Sequence, residues 1–316
     1  MKYIISVIFL LISMLSFSQK KEKPAEQSYQ ISDELTYTYE RPKFFGFITG
    51  IPKNYANLGK ESVKKENLKW WGLTALTTGM LYSADEELLA YAENLQDYGL
   101  EKDHEQEVFA GMFTYPKNNS AALYYLGHGN TSLLIGTGFL VSGAIGKDYR
   151  ALHTSSEIVE GILTLGIFTQ GLKRVFGRES PYVRTEPRGN WDLFPNLKDY
   201  AEKTAHYDAM PSGHVATLTS TVTVIAKNYP EVKWIRPVGY TLIGVLGIEM
   251  MNSGVHWASD YPLGILIGYS VGSVVANKRI KKSDEDGLSS ASHKIQPQFF
   301  ITQVYGDNVV GVTFTF

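Results

Sequence analysis

Apolar positions in this chain gather into six blocks separated by polar turns: Leu68–Leu81, Ser120–Ile145, Ser155–Val175, His214–Lys227, Ile235–Met250 and Tyr261–Ala276. Each is long enough for a helix and interrupts its apolar residues with Gly, Ser or Thr. A polar, acidic stretch, Asp85 to Glu107, reads as further helix between the first two. The pattern predicts an all-α helical bundle over residues 67–282. No block is a clean run of about 20 strongly apolar residues, as a membrane-crossing helix requires. Asn119 to Gly146, which lacks Asp, Glu, Lys and Arg, is the best single candidate. Small residues at close intervals suit helix packing in a bilayer and equally suit a tight bundle in water, so both settings stay open.

The two ends read differently. Met1-Lys2, the apolar run Ile4 to Leu15 and the small-residue close at Ser18 have the form of a secretory signal peptide over residues 1–18, or of an N-terminal anchor. Both readings put the chain outside the cytoplasm, facing the periplasm, and either membrane-associated or integral. Residues 19–66 read as a polar linker and pre-helical segment, with Lys20 to Glu34 a mobile arm. Lys278 to Lys282 is a basic run, either a solvated helix end or a contact for anionic lipid head groups. Residues 283–297 read as a linker. Gln298–Val304 and Val309–Phe316 alternate as strands around Tyr305–Asn308, which predicts a β-hairpin over residues 298–316.

Composition narrows the function classes. The chain has 316 residues, 44% hydrophobic and 20% charged, with net charge −2, so no global field draws it to nucleic acid. It has no cysteine, which excludes disulfides, thiol catalysis and cysteine-held metals.

Three short stretches carry candidate chemistry. His256 and Asp260 are four apart, so on a helix they share a face. A carboxylate on one imidazole nitrogen fixes the tautomer and raises the basicity of the other, and such a ring can attack phosphorus. A plain surface pair, or a pair of zinc ligands, fits the same spacing. Pro211-Ser212-Gly213-His214 precedes an apolar run: Ser212 can cap the helix, and a helix N-terminus with glycine admits an anion closely. His214 in the first turn can protonate a leaving group, or be incidental to a capped helix. Lys173 and Arg178 follow an apolar helix, where they complement its dipole or neutralise phosphoryl oxygens.

Together, Lys173 to Pro181, Pro211 to His214 and His256 to Asp260 resemble the three ordered signature motifs of the type 2 phosphatidic acid phosphatase superfamily, which also holds class A acid phosphatases and vanadium haloperoxidases. The resemblance covers about Leu163 to Ala276. It implies that His256 is the nucleophile, Asp260 its orienting carboxylate and His214 the general acid. It also implies that Lys173, Ser212 and Gly213 bind the phosphoryl oxygens, without cofactor or metal. The substrate it implies is a phosphate monoester or pyrophosphate, either a lipid phosphate or a small soluble ester. A membrane partner follows; no nucleic acid does. Two positions depart from the family pattern. Its Arg before Pro falls on Ser180, and its Ser-Arg falls on Glu249-Met250. Each lost charge-assisted contact costs about 1.5–3 kcal/mol, together about 10²–10⁴-fold in rate. Arg178, Arg174 and Arg184 are the candidate substitutes. A degenerate anion-binding member with little turnover, or a haloperoxidase, are the alternatives. His206 with Asp208 suits a site entrance or a surface loop. His128, Trp70-Trp71 and Trp257 read as packing residues.

Overall fold

The structure is a computed structural model that describes residues 25–109, 113–284, 296–304 and 307–315. The segment expected to be an export signal lies outside the described residues. The helical part follows the apolar blocks. It consists of α1 (Gly46–Thr49), α2 (Ile51–Ser62), α3 (Lys65–Glu93), α4 (Asn119–Tyr125), α5 (Gly129–Gly146), α6 (Tyr149–Phe176), α7 (Leu197–Glu202), α8 (Gly213–Asn228), α9 (Ile235–Asn252) and α10 (Tyr261–Asn277). Among the described residues no helix is long and apolar enough to cross a membrane.

α8 is the axis of the bundle. One of its faces joins Leu165, Leu263, Ile267 and Val271 through Ala216. Another joins Ile243, Leu246 and Met250 through Val215, Leu218 and Val222. Glycines let α10 approach it closely. A methyl group on Gly264, Gly268 or Gly272 would meet the Ser212, Ala216 or Ser220 carbonyl oxygen at 2.8, 2.3 and 2.8 Å. Their four-residue spacing puts all three on one helical face.

The block Ser120–Ile145 breaks into α4 and α5 at Leu126–His128. Gly127 there lies against α8, where a methyl group would meet the His214 Cβ at 2.6 Å. The His128 ring then caps α5 by accepting the Asn130 N–H. The acidic stretch also departs from expectation. α3 runs on through Asp85 and ends at Glu93, a 3₁₀ turn follows, and Gln106–Phe109 is strand β3, paired with β4 (Phe113–Pro116).

Of residues 19–66, read as a polar linker and pre-helical segment, the described part is folded from Glu26 onward. β1 (Glu26–Gln30), β2 (Leu35–Glu40) and β5 (Lys281–Asp284) form an antiparallel sheet in that order. The signal is a period of two in Leu35-Thr-Tyr-Thr-Tyr-Glu40, which turns Tyr37 and Tyr39 inward. The Tyr39 hydroxyl donates to Asn228 Oδ1 at 2.9 Å. The basic run is also divided. Lys278 and Arg279 turn inward to the buried Glu160, and Lys281 pairs with Glu26 and Glu40. The C-terminal hairpin forms from β6 (Gln296–Val304) and β7 (Asp307–Thr315). Pairing continues to Val304↔Asp307, so its turn is tighter than the four residues expected.

Candidate active site

The site is built where α8 begins, α6 ends and the chain enters α10. Ser212 caps α8 by accepting the Val215 N–H at 3.4 Å. Lys173, in the last turn of α6, lies alongside: a methyl group on Gly213 would sit 4.0 Å from the Lys173 Cε. Lys173 Nζ is 3.3 Å from Asp208 Oδ2, its paired carboxylate among the described residues. A helix N-terminus, a lysine and a glycine that admits close approach together favour an anion.

His256 and Asp260 meet, but not on a helix as their spacing suggested. α9 ends at Asn252, and Gly254 takes φ +71 beside Tyr182. A 3₁₀ turn at Ala258–Asp260 then folds the carboxylate back. Asp260 Oδ2 accepts the Trp257 N–H at 2.9 Å and faces His256 Nδ1 at 3.4 Å. Both side chains are buried. Burial alone would raise the Asp260 pKa. The Arg178 charge, the His256 ring and the Trp257 N–H outweigh it and hold the carboxyl below its usual value.

His214 stands in the same electrostatic neighbourhood. Its pKa is pushed well below the ordinary histidine value, first by burial and then by the positive fields of His256, Lys173, His128 and His104. Its ring leans on Tyr124, centroids 4.3 Å apart, and Tyr124 in turn stacks on His104 at 4.1 Å. Nothing in the spacing of His104 or Tyr124 marked them. They reach the site through the β3–β4 region and α4, both misread as parts of longer helices.

Arg178, expected on the phosphate, is elsewhere. It is fully buried, and its five N–H donors all end on protein acceptors. Nη1 donates to Asp260 Oδ1 and Ser259 Oγ, both at 2.7 Å. Nη2 donates to Asp85 Oδ2 at 2.7 Å and, with Nε, to the Arg188 carbonyl. Arg174 is also committed, donating to Gln170 and lying over the Tyr200 ring. Arg184 donates to the Pro181 carbonyl and lies 5.9 Å over the ring of Trp257, the neighbour of His256. It is the most available of the three. Ser180 is buried and donates its N–H to Ala205.

Glu249 turns away from the anion site. Its Oε1 is 2.7 Å from His104 Nε2 and accepts the Ser120 hydroxyl at 2.9 Å. Met250 is buried with its sulfur 4.0 Å from Ser212 Oγ. His206 pairs with Glu179 at 3.0 Å, while its neighbour Asp208 does reach the site through Lys173. Trp257 packs as expected, fully buried, with Nε1 donating to the Glu179 carbonyl. Among the described residues no three His, Asp or Glu side chains cluster as metal ligands do.

Comparison with known proteins adds three relatives. A lipid A 1-phosphatase of Porphyromonas gingivalis is 34% identical over 68 residues, 21% of this chain, and the match spans 15% of that relative's length. The crystal structure of Aquifex aeolicus LpxE has a TM-score of 0.37 and 22% identity, covering 50% of this chain and 83% of that one. A transmembrane PAP2 type phosphatidylglycerolphosphate phosphatase from Bacillus subtilis has a TM-score of 0.43 and 16% identity, covering 68% of this chain and 96% of that one. The family model described as the PAP2 superfamily matches residues 156–283 of this chain, the span that holds Lys173, His214 and His256.

Proposed function

We propose that this protein is a phosphatase that hydrolyses a lipid phosphate monoester or pyrophosphate through a phosphohistidine on His256. Asp260 faces Nδ1 of His256, which leaves Nε2 as the nucleophile. Its lone pair attacks phosphorus in line while the bond to the leaving oxygen breaks. His214 gives its proton to that oxygen. Water then attacks the phosphohistidine, His214 takes a proton back, and inorganic phosphate leaves. Burial first, and then the cations around His214, disfavour its protonated form. An arriving phosphate reverses that field, so His214 becomes an acid when there is a leaving group to protonate. Lys173, the Ser212 hydroxyl and the N–H groups that open α8 hold the phosphoryl oxygens.

The observation that carries this reading is the pairing of a carboxylate-oriented imidazole with a second imidazole and a lysine at one helix start. A lipid substrate is supported by the apolar outer faces of the bundle. Leu76 and Met80 on α3, Leu134 and Ile145 on α5, Ile167 on α6 and Trp234 next to α9 are all exposed, as apolar side chains in contact with lipid would be. We place the protein outside the cytoplasm, with these faces against a lipid layer.

The second reading is an anion-binding protein with little turnover. It is favoured by the commitment of Arg178 and Arg174 away from the pocket, which leaves Arg184 as the remaining candidate for two family arginines. Release of inorganic phosphate from phosphatidic acid and from a generic monoester, with and without chelator, separates the two. His256→Ala is expected to lower chelator-resistant release by about 10³-fold or more. Equal rates for the variant and the parent would remove His256 from the mechanism.

A further inference from the structure

We propose that Asp85, on α3, is a positioning residue for the site: through Arg178 and Ser259 it fixes the place and charge of Asp260, and thereby the nucleophile. This rests on the reading of His256 given above. Asp85 belongs to none of the three motifs and is separated from the nearest of them by β3, β4, α4, α5 and most of α6.

The side chain is buried, and both its oxygens are used. Oδ1 accepts the Ser259 N–H at 3.0 Å. Oδ2 accepts the Ser259 hydroxyl at 2.6 Å and Arg178 Nη2 at 2.7 Å. Ser259 Oγ in turn accepts from Arg178 Nη1, which also reaches Asp260 Oδ1. The 3₁₀ turn that carries Asp260 is therefore held to α3 by a closed ring of charge-assisted bonds. The rings of Tyr82, Trp191 and Trp257 lie around the guanidinium at 5.2, 4.9 and 5.2 Å. They keep water out and give each of these bonds its full electrostatic strength.

One guanidinium between two carboxylates leaves the trio with a net charge of −1. That surplus faces His256 and favours the positive imidazole formed as it attacks phosphorus. Neutralising Asp85 would leave Arg178 to Asp260 alone, and the carboxylate under His256 would then support less positive charge. A counter-ion of merely structural use would act on folding and leave the reaction's pH profile alone. The other groups around His256 are Asp260, His214, Lys173 and Tyr261, whose ring centroid is 6.5 Å away, and all are retained in an Asp85 variant.

The test is kcat, KM and the pH dependence of kcat/KM for phosphate release by Asp85→Asn and Asp85→Glu, beside His256→Ala, in the full chain. Asp85→Asn is expected to lower kcat about 10–100-fold with KM within about threefold, and to move the acid limb to lower pH by roughly half a unit to one unit. Asp85→Glu, which restores the charge, is expected to return the limb toward that of the parent. Ser259→Ala keeps every charge and removes one link. It is expected to lower kcat at least about threefold with a modest fall in melting temperature, and it decides the matter if Asp85→Asn does not fold. A folded Asp85→Asn with the parent's kcat and acid limb overturns the proposal. So does a folded Ser259→Ala with the parent's kcat. An active His256→Ala would instead overturn the reading of His256 as nucleophile beneath it.

Discussion

Two ionic centres are buried in this bundle, and they are completed to different degrees. At the active-site end, Asp85, Arg178, Ser259 and Asp260 satisfy one another fully, and Asp260 stays ionised. At the far end, Glu157 and Glu160 of α6 face Lys278 and Arg279. Glu160 is well supplied by Asn54, Lys278 and Arg279. Glu157 takes one bond from Asn228, while its Oε1 and Arg279 Nη1 stand 3.9 Å apart, each without a hydrogen bond. Burial therefore dominates there and pushes the Glu157 pKa up to about 8. Complete pairing preserves a charge in an apolar interior, and incomplete pairing lets a proton remove it. The site end needs a defined charge beneath its nucleophile, and that is where the donors and acceptors match.

The strongest challenge to this contrast is Arg178→Met. It leaves two buried carboxylates facing each other, and a loss of about 3–5 kcal/mol in urea unfolding is expected, with loss of phosphate release. Lys278→Met removes one of several donors to Glu160, so about 1–3 kcal/mol is expected by the same measurement. Equal losses for the two variants would erase the distinction between the centres.

Glu157→Gln sharpens it through pH. Unfolded, Glu157 sheds its proton near 4.5; folded, it keeps it to about 8. Between those values the folded chain holds the extra proton, so this group's contribution to stability falls as pH rises through the window. The variant is expected to lack that slope in melting temperature against pH, and a slope identical to the parent's would show Glu157 ionised throughout. The smallest effect concerns His214. Binding of inorganic phosphate near neutral pH is expected to take up less than about one proton, read by calorimetry in buffers of different ionisation enthalpy. Uptake undiminished in His214→Gln would assign that proton elsewhere.

The parts legible in the sequence are those set by local rules. α8 announces itself through Ser212 and the apolar run behind it, and α6, α9 and α10 fall within a few residues of their apolar blocks. The His256–Asp260 pair was legible by spacing, although a 3₁₀ turn, not a helix face, closes it. Arg178 was not legible, because proximity in sequence to Lys173 says nothing about direction. Its guanidinium is aimed by Asp85, 93 residues away. Tyr37 and Tyr39 hid a strand because their core face is aromatic and hydroxylated, and total polarity masks an alternation of two. His104 and Tyr124 escaped for a third reason. Tyr124 stands just before the point where a long apolar block is cut by contact with α8, His104 just before a strand inside an acidic stretch, and only the folded chain brings them together.

The three glycines of α10 have a consequence for how specificity can change. α8 starts with His214, and the chain enters α10 directly from His256 and Asp260, so these two helices set the gauge of the pocket. At these glycines their contact is carbonyl against Cα, with only the small Thr219 and Thr223 and the Val215 side chain beside it. Selection for a new leaving group cannot widen the pocket by trimming that seam. It must work on the rim, in the Glu179–Asp208 connection and around Tyr124, where side chains are free to vary.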